Sequence, residues 1–135
     1  MEITDLRPTV VWKYFHEVTQ VPRPSKKEGK MIAFLESFAK EHHVAIKKDE
    51  VGNILMSKQA TPGMENRPVV VLQSHMDMVC EKNNGTQHDF DNDPIETIVD
   101  GEWLRANGTT LGADNGIGVA AELALLASDD IEHGP

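Results

Sequence analysis

The hydrophobic positions of this chain fall into alternating helical and extended patterns. From about residue 8 to 19, Val11, Tyr14, Phe15 and Val18 recur at the spacing of one helix face. Val21-Pro22-Arg23-Pro24 then ends that helix, because proline cannot continue it. Ser25-Lys26-Lys27-Glu28 reads as a capping box for a second helix, whose buried face is Met31, Ile32, Leu35, Phe38 and Ala39. Residues 44–48 and 53–57 read as short strands joined by a turn around Glu50 and Gly52, and Thr61-Pro62-Gly63 breaks the chain after them. The run Pro68-Val69-Val70-Val71-Leu72-Gln73 is rich in β-branched residues and too short for a helix, so it is expected to be a fully buried strand. Ile95, Ile98, Val99, Trp103 and Leu104 surround Asp100-Gly101, a hairpin signal of the type I′ kind. Ile117, Val119, Ala120, Leu123, Leu125 and Leu126 carry a last helical pattern to about Ser128. Together these elements predict an α/β fold, an α/β/α sandwich with a mixed sheet.

Polar chemistry begins where the central run stops, at Ser74-His75-Met76-Asp77. Functional groups in α/β sheets collect at the carboxyl ends of strands. Alternation puts His75 and Asp77 on one face and turns Met76 away, so the carboxylate can hold the imidazole. Taken alone, the pattern is equally that of a hydrogen-bonded polar exit from a strand. A second stretch, Gly112-Ala113-Asp114-Asn115-Gly116, opens the last helix. Asp114 there is either an N-cap between turn glycines or a carboxylate presented to divalent cations, which favour oxygen ligands.

Composition narrows the classes of function. With Lys+Arg 13 against Asp+Glu 22, the formal net charge is −9, which argues against nucleic acid or an anionic membrane as partner. A 39% hydrophobic, 26% charged chain of 135 residues is ordinary for a soluble globular domain, and a single cysteine excludes an internal disulfide and fits a reducing compartment. No leader pattern or membrane-length apolar run is visible, so a cytoplasmic protein is expected. Asp89, Asp91 and Asp93 lack the glycine and distal glutamate of a calcium loop and read as a solvated acidic loop. Nothing in the sequence activates Cys80, which reads as an inert thiol and makes a thiol hydrolase a remote reading. Gly112, Gly116 and Gly118 do not spell a dinucleotide fingerprint. His16, His42, His43, His88 and His133 read as surface or loop residues, with His42-His43 closing a helix.

Gln73-Ser-His-Met-Asp-Met-Val79 together with Thr109-Thr-Leu-Gly-Ala-Asp-Asn-Gly-Ile-Gly118 resembles the di-zinc metallopeptidases of the carnosinase and aminoacylase type. Val51-Gly-Asn-Ile54, Gly63-Met-Glu-Asn66, Lys82-Asn-Asn84, His88-Asp-Phe90, Asp93-Pro-Ile95 and Asp100-Gly-Glu-Trp103 narrow the resemblance to the bacterial aminoacyl-histidine dipeptidase branch, over essentially the whole chain. The resemblance implies that His75 is a terminal zinc ligand, that Asp114 bridges two zinc ions, and that Asp77 is the catalytic-site carboxylate clamping the His75 ring. It also implies a cis peptide bond between Asp114 and Asn115.

The general base and the next ligand would be a Glu-Glu pair on the strand after the last helix, with Asp and His ligands later still. None of these is matched before His133-Gly134-Pro135, and neither Glu122 nor Glu132 sits in such a pair. Residues 1–135 are therefore expected to be the N-terminal segment of a metallopeptidase catalytic domain, without its remaining strands or its lid and dimerisation domain. What the resemblance implies is hydrolysis of dipeptides, Xaa-His and broader, by a two-zinc-activated water, with cobalt or manganese as substitute metals. Homodimerisation would run through the absent domain. The alternative is a non-catalytic truncated or metal-binding module, and for the isolated 135-residue chain inactivity is the expectation.

Overall fold

A computed structural model describes all 135 residues. The buried stripe of the first predicted helix is realised as α1, Thr9–Thr19, with Tyr14, Phe15, Val18 and Thr19 inward. Pro8 precedes it, and the Trp12 indole N–H donates to the Arg7 carbonyl at 3.0 Å, fixing the entry of the chain. The second helix, α2, runs Gly29–Glu41 and buries Met31, Leu35, Phe38 and Ala39.

The helix α2 starts later than its sequence signal. Ser25 makes no cap, because its N–H and hydroxyl are both taken by the segment around Met78, and Glu28 instead accepts the Lys26 N–H at 2.7 Å. The capping box is thus replaced by a turn, with Lys26 at φ +68°.

β1, Ala45–Lys48, pairs antiparallel with β2, Ile54–Ser57, and β3, Thr97–Asp100, pairs antiparallel with β4, Trp103–Ala106. The second hairpin forms where Asp100-Gly101 predicts one. Its two loop residues are Gly101 and Glu102, and only Gly101 takes positive φ (+61°), so the turn is not type I′. The last helix, α3, spans Ala113–Ala127 and buries Gly116, Val119, Ala120, Leu123 and Ala124, an i, i+3, i+4, i+7, i+8 stripe. Leu125, part of the sequence pattern, lies off that stripe and is exposed. The core is where α1 and α3 lie against each other, with Met31, Leu35 and Phe38 of α2 and Ile3 completing it. Each fully buried large apolar side chain there contributes about 1.5–3 kcal/mol.

The α/β class holds, as helices with small sheets. The central run 68–73 differs from expectation: it forms no strand ladder, and Val69, Val70, Val71 and Leu72 are more than half exposed. The reason is a lack of strand partners, since β1 pairs only with β2 and β3 only with β4. Mixed-sheet character is confined to two isolated bridges, Pro24 with Met78 (parallel) and Lys82 with Thr109 (antiparallel). No helix is long and apolar enough to cross a membrane.

Candidate functional site

Residues 74–78 leave the extended run and dock on the Arg23–Ser25 segment. The Met78 N–H donates to the Arg23 carbonyl at 3.0 Å, and the Ser25 N–H to the Met78 carbonyl at 3.4 Å. Met78 is buried and Met76 packs against the core, so alternation turns His75 and Asp77 outward together. The His75 Nδ1 lies 3.0 Å from Asp77 Oδ1, and its Nε2 lies 3.1 Å from Asp114 Oδ1. Ser25 Oγ donates to Asp77 Oδ2, which leaves Oδ1 to the imidazole.

Asp114 is presented by the start of α3. Gly112 is the N-cap in left-handed conformation (φ +74°), and Asp114 and Asn115 have non-helical φ/ψ, with a cis peptide bond between them as the resemblance implies. The two readings of Asp114 left open by the sequence separate here. Its carboxylate makes no cap hydrogen bond, whereas Asn115 Oδ1 accepts the Gly118 N–H at 3.2 Å. Asn115 therefore serves the helix terminus, and the Asp114 side chain, 97% exposed, is left to face His75.

The electrostatics follow from this geometry. The hydrogen bond to Asp114 is the main cause that raises the His75 pKa; desolvation opposes it, and the contacts with Asp77 add to the rise. The Ser25 hydroxyl, followed by His75, holds the Asp77 carboxyl below the usual range. An imidazole nitrogen and a carboxylate oxygen thus converge on one exposed spot, with the other ring nitrogen tied to a carboxylate. This is the donor chemistry and outer-shell support that a zinc ligand pair requires, so His75 and Asp114 fit the expected metal. No group of three or more His, Cys, Asp or Glu side chains is placed to hold one ion.

Other candidates resolve as structure. Cys80 donates weakly to the Met78 carbonyl and burial raises its thiol pKa, which disfavours the nucleophilic thiolate. Asp89 accepts the Asp91 N–H at 2.9 Å, Asp93 accepts the Asp89 N–H at 2.8 Å, and Asp91 pairs with Lys27, so the acidic loop closes on itself. His42 is not merely a surface residue, since its ring lies 4.4 Å from that of Phe38. Glu122 accepts from Ser74 Oγ at 2.7 Å. Sequence reasoning missed Ser25 and Arg23 as neighbours of the site. The one local signal is the Pro22-Arg23-Pro24 run, which bars helix at Arg23 and leads directly into Ser25.

No family model matches the chain. It is 51% identical over 134 residues to the cytosol non-specific dipeptidase of Escherichia coli (strain K12), covering 99% of this chain and 28% of that protein. The crystal structure of aminoacylhistidine dipeptidase from Vibrio alginolyticus superimposes with a TM-score of 0.96 at 49% identity, over 99% of this chain and 27% of that one. A tripeptidase from Staphylococcus aureus matches with a TM-score of 0.71 at 23% identity, over 93% of this chain and 34% of that one, and speaks to the fold alone. The chain therefore spans between about a quarter and a third of the length of these relatives, and the dipeptidase resemblance carried by its motifs is borne out.

Proposed function

We propose that this chain is the N-terminal segment of the catalytic domain of a cytoplasmic, zinc-dependent dipeptidase that hydrolyses Xaa-His and other dipeptides. The observation that carries the reading is His75 held between Asp77 and Asp114, one ring nitrogen on each carboxylate. His75 Nε2 and the Asp114 carboxylate are the residues that would hold zinc. When bound, zinc supplies a Lewis acid that polarises the scissile carbonyl and makes water a stronger nucleophile at neutral pH.

The chain's own residues prepare that site. Asp77 accepts the Nδ1 proton of His75, so that when Nε2 gives up the proton it directs at Asp114 the tautomer left is the one with its lone pair on Nε2. Ser25 donates to the other oxygen of Asp77 and fixes the carboxylate plane. Gly112 lets the chain turn so that Asp114 projects from the helix start without capping it. Glu122 is engaged by Ser74, so the proton-transferring base is assigned to residues beyond this segment, as are the remaining metal donors. Support for the substrate class is the 51% identity to a dipeptidase and the 0.96 TM-score to an aminoacylhistidine dipeptidase.

The test uses the whole protein, with zinc content by metal analysis and hydrolysis of an Xaa-His dipeptide as readouts. His75→Ala and Asp114→Ala are each expected to lower bound zinc and to abolish hydrolysis while the protein stays folded. Wild-type zinc content and turnover in both variants would refute the assignment.

A further inference from the structure

Arg23 is among the most deeply buried side chains in the molecule, 1% exposed, yet it has no carboxylate within ion-pair distance. Its Nη1 donates to the carbonyls of Met76 (3.1 Å) and Asp77 (3.2 Å), and its Nη2 to the carbonyl of Gly112 (2.8 Å). Its Nε has no partner. Burying a guanidinium that is paired only with backbone dipoles is costly, and desolvation lowers its pKa against the opposing charge of Asp77. Such a group persists where its geometry is needed.

The carbonyls it binds belong to the two segments that carry the site. Met76 and Asp77 follow His75 directly, and Gly112 lies two residues before Asp114. No backbone-to-backbone hydrogen bond joins residues 74–78 to residues 111–116. The planar guanidinium fork is therefore the buried link between them, and a lysine ammonium, a single point, cannot reproduce its three-way geometry. The Arg23 backbone reinforces this, since its carbonyl accepts the Met78 N–H.

The glycines of the second motif fit the same device. A Cβ on Gly112 would lie 2.5 Å from Arg23 Nη2, and one on Gly116 would lie 2.7 Å from it. Both positions leave room for the guanidinium. From the buried fork, the two segments it joins and the glycines that admit it, we propose that Arg23 is a positioning residue that sets the spacing between His75 and Asp114. The link to zinc rests on the dipeptidase reading.

The test compares Arg23→Lys with Leu123→Ala, a core variant remote from the site, in the whole protein. Four readouts are taken: thermal melting, the NMR signals of the His75 ring in metal-free protein, zinc affinity by chelator competition, and kcat and KM for an Xaa-His dipeptide. Arg23→Lys is expected to move the His75 ring signals and to weaken zinc by roughly 10–100-fold, with kcat falling more than KM. Leu123→Ala should lower the melting temperature and leave His75 unmoved. Adding guanidinium ion to an Arg23→Ala variant should restore the His75 signals towards wild type.

Should the Arg23 variants fail to fold, Gly116→Ala crowds Nη2 from the other side and is expected to give the same signature. The proposal is overturned if the folded variant loses melting temperature as Leu123→Ala does while His75 signals and zinc affinity stay at wild type. A wild-type protein without zinc-dependent hydrolysis would sink the dipeptidase reading instead, and the His75 signals would still decide the role of Arg23.

Discussion

Both oxygens of the Asp77 carboxylate are engaged by neighbouring side chains. One of its oxygens takes the Ser25 hydroxyl and the other takes His75 Nδ1, so it fixes both the tautomer and the plane of the ring. Replacing Asp77 by Asn leaves an amide that can present its N–H to Nδ1 and favour the wrong tautomer. We expect Asp77→Asn to weaken zinc by roughly 10–100-fold in the whole protein, measured by chelator competition. Unchanged affinity would contradict the clamp.

Asp49 is the structural counterpart. The Asn53 side-chain amide at 2.7 Å is the leading cause holding its carboxyl below the ordinary range, helped by the N–H groups of Asn53 and Val51. A carboxyl with a lowered folded pKa stabilises the fold above its unfolded pKa, and that contribution is lost as pH falls through the folded value. The melting-temperature advantage of wild type over Asp49→Ala should therefore be present near neutrality and shrink in acid. An advantage independent of pH would contradict it.

At this scale the convergence of His75, Asp77 and Asp114 is legible in the sequence, because strand alternation and a glycine-flanked loop constrain where those side chains go. Arg23 is not legible. Its partners are carbonyls 53, 54 and 89 residues away, and a carbonyl has no sequence signature.

Among the elements, the helices follow their apolar stripes closely. α1 buries Tyr14, Phe15 and Val18 and α3 buries Val119, Ala120 and Leu123 of the faces that periodicity predicts, with Leu125 left exposed, and both hairpins fall where turn signals place them. Residues 68–73 do not, because β-branched composition reports that a segment suits a sheet and says nothing of whether partner strands lie within the same chain. The amides of Val69, Val71 and Leu72 have no backbone acceptor, whereas those of α3 are paired within the helix. Hydrogen exchange on the 135-residue polypeptide should thus find Val71 and Leu72 unprotected and Val119 and Leu123 protected. Protection of Val71 equal to that of Leu123 would mean that the run had found a strand partner.

The chain packs one helical core and presents His75 and Asp114 as its two candidate metal donors, and it spans 28% of the dipeptidase to which it is 51% identical. The two proposed ligands and an orienting carboxylate would not by themselves make a two-metal centre, so the 135-residue polypeptide should show no chelator-sensitive dipeptide hydrolysis on its own. In the whole protein, zinc-dependent catalysis is tested by the rate of Xaa-His dipeptide hydrolysis before chelation, after chelation and after zinc is returned. Wild type should lose activity on chelation and recover it with zinc, and His75→Ala should not recover; hydrolysis that survives chelation, or that His75→Ala leaves intact, would refute a zinc site built on His75.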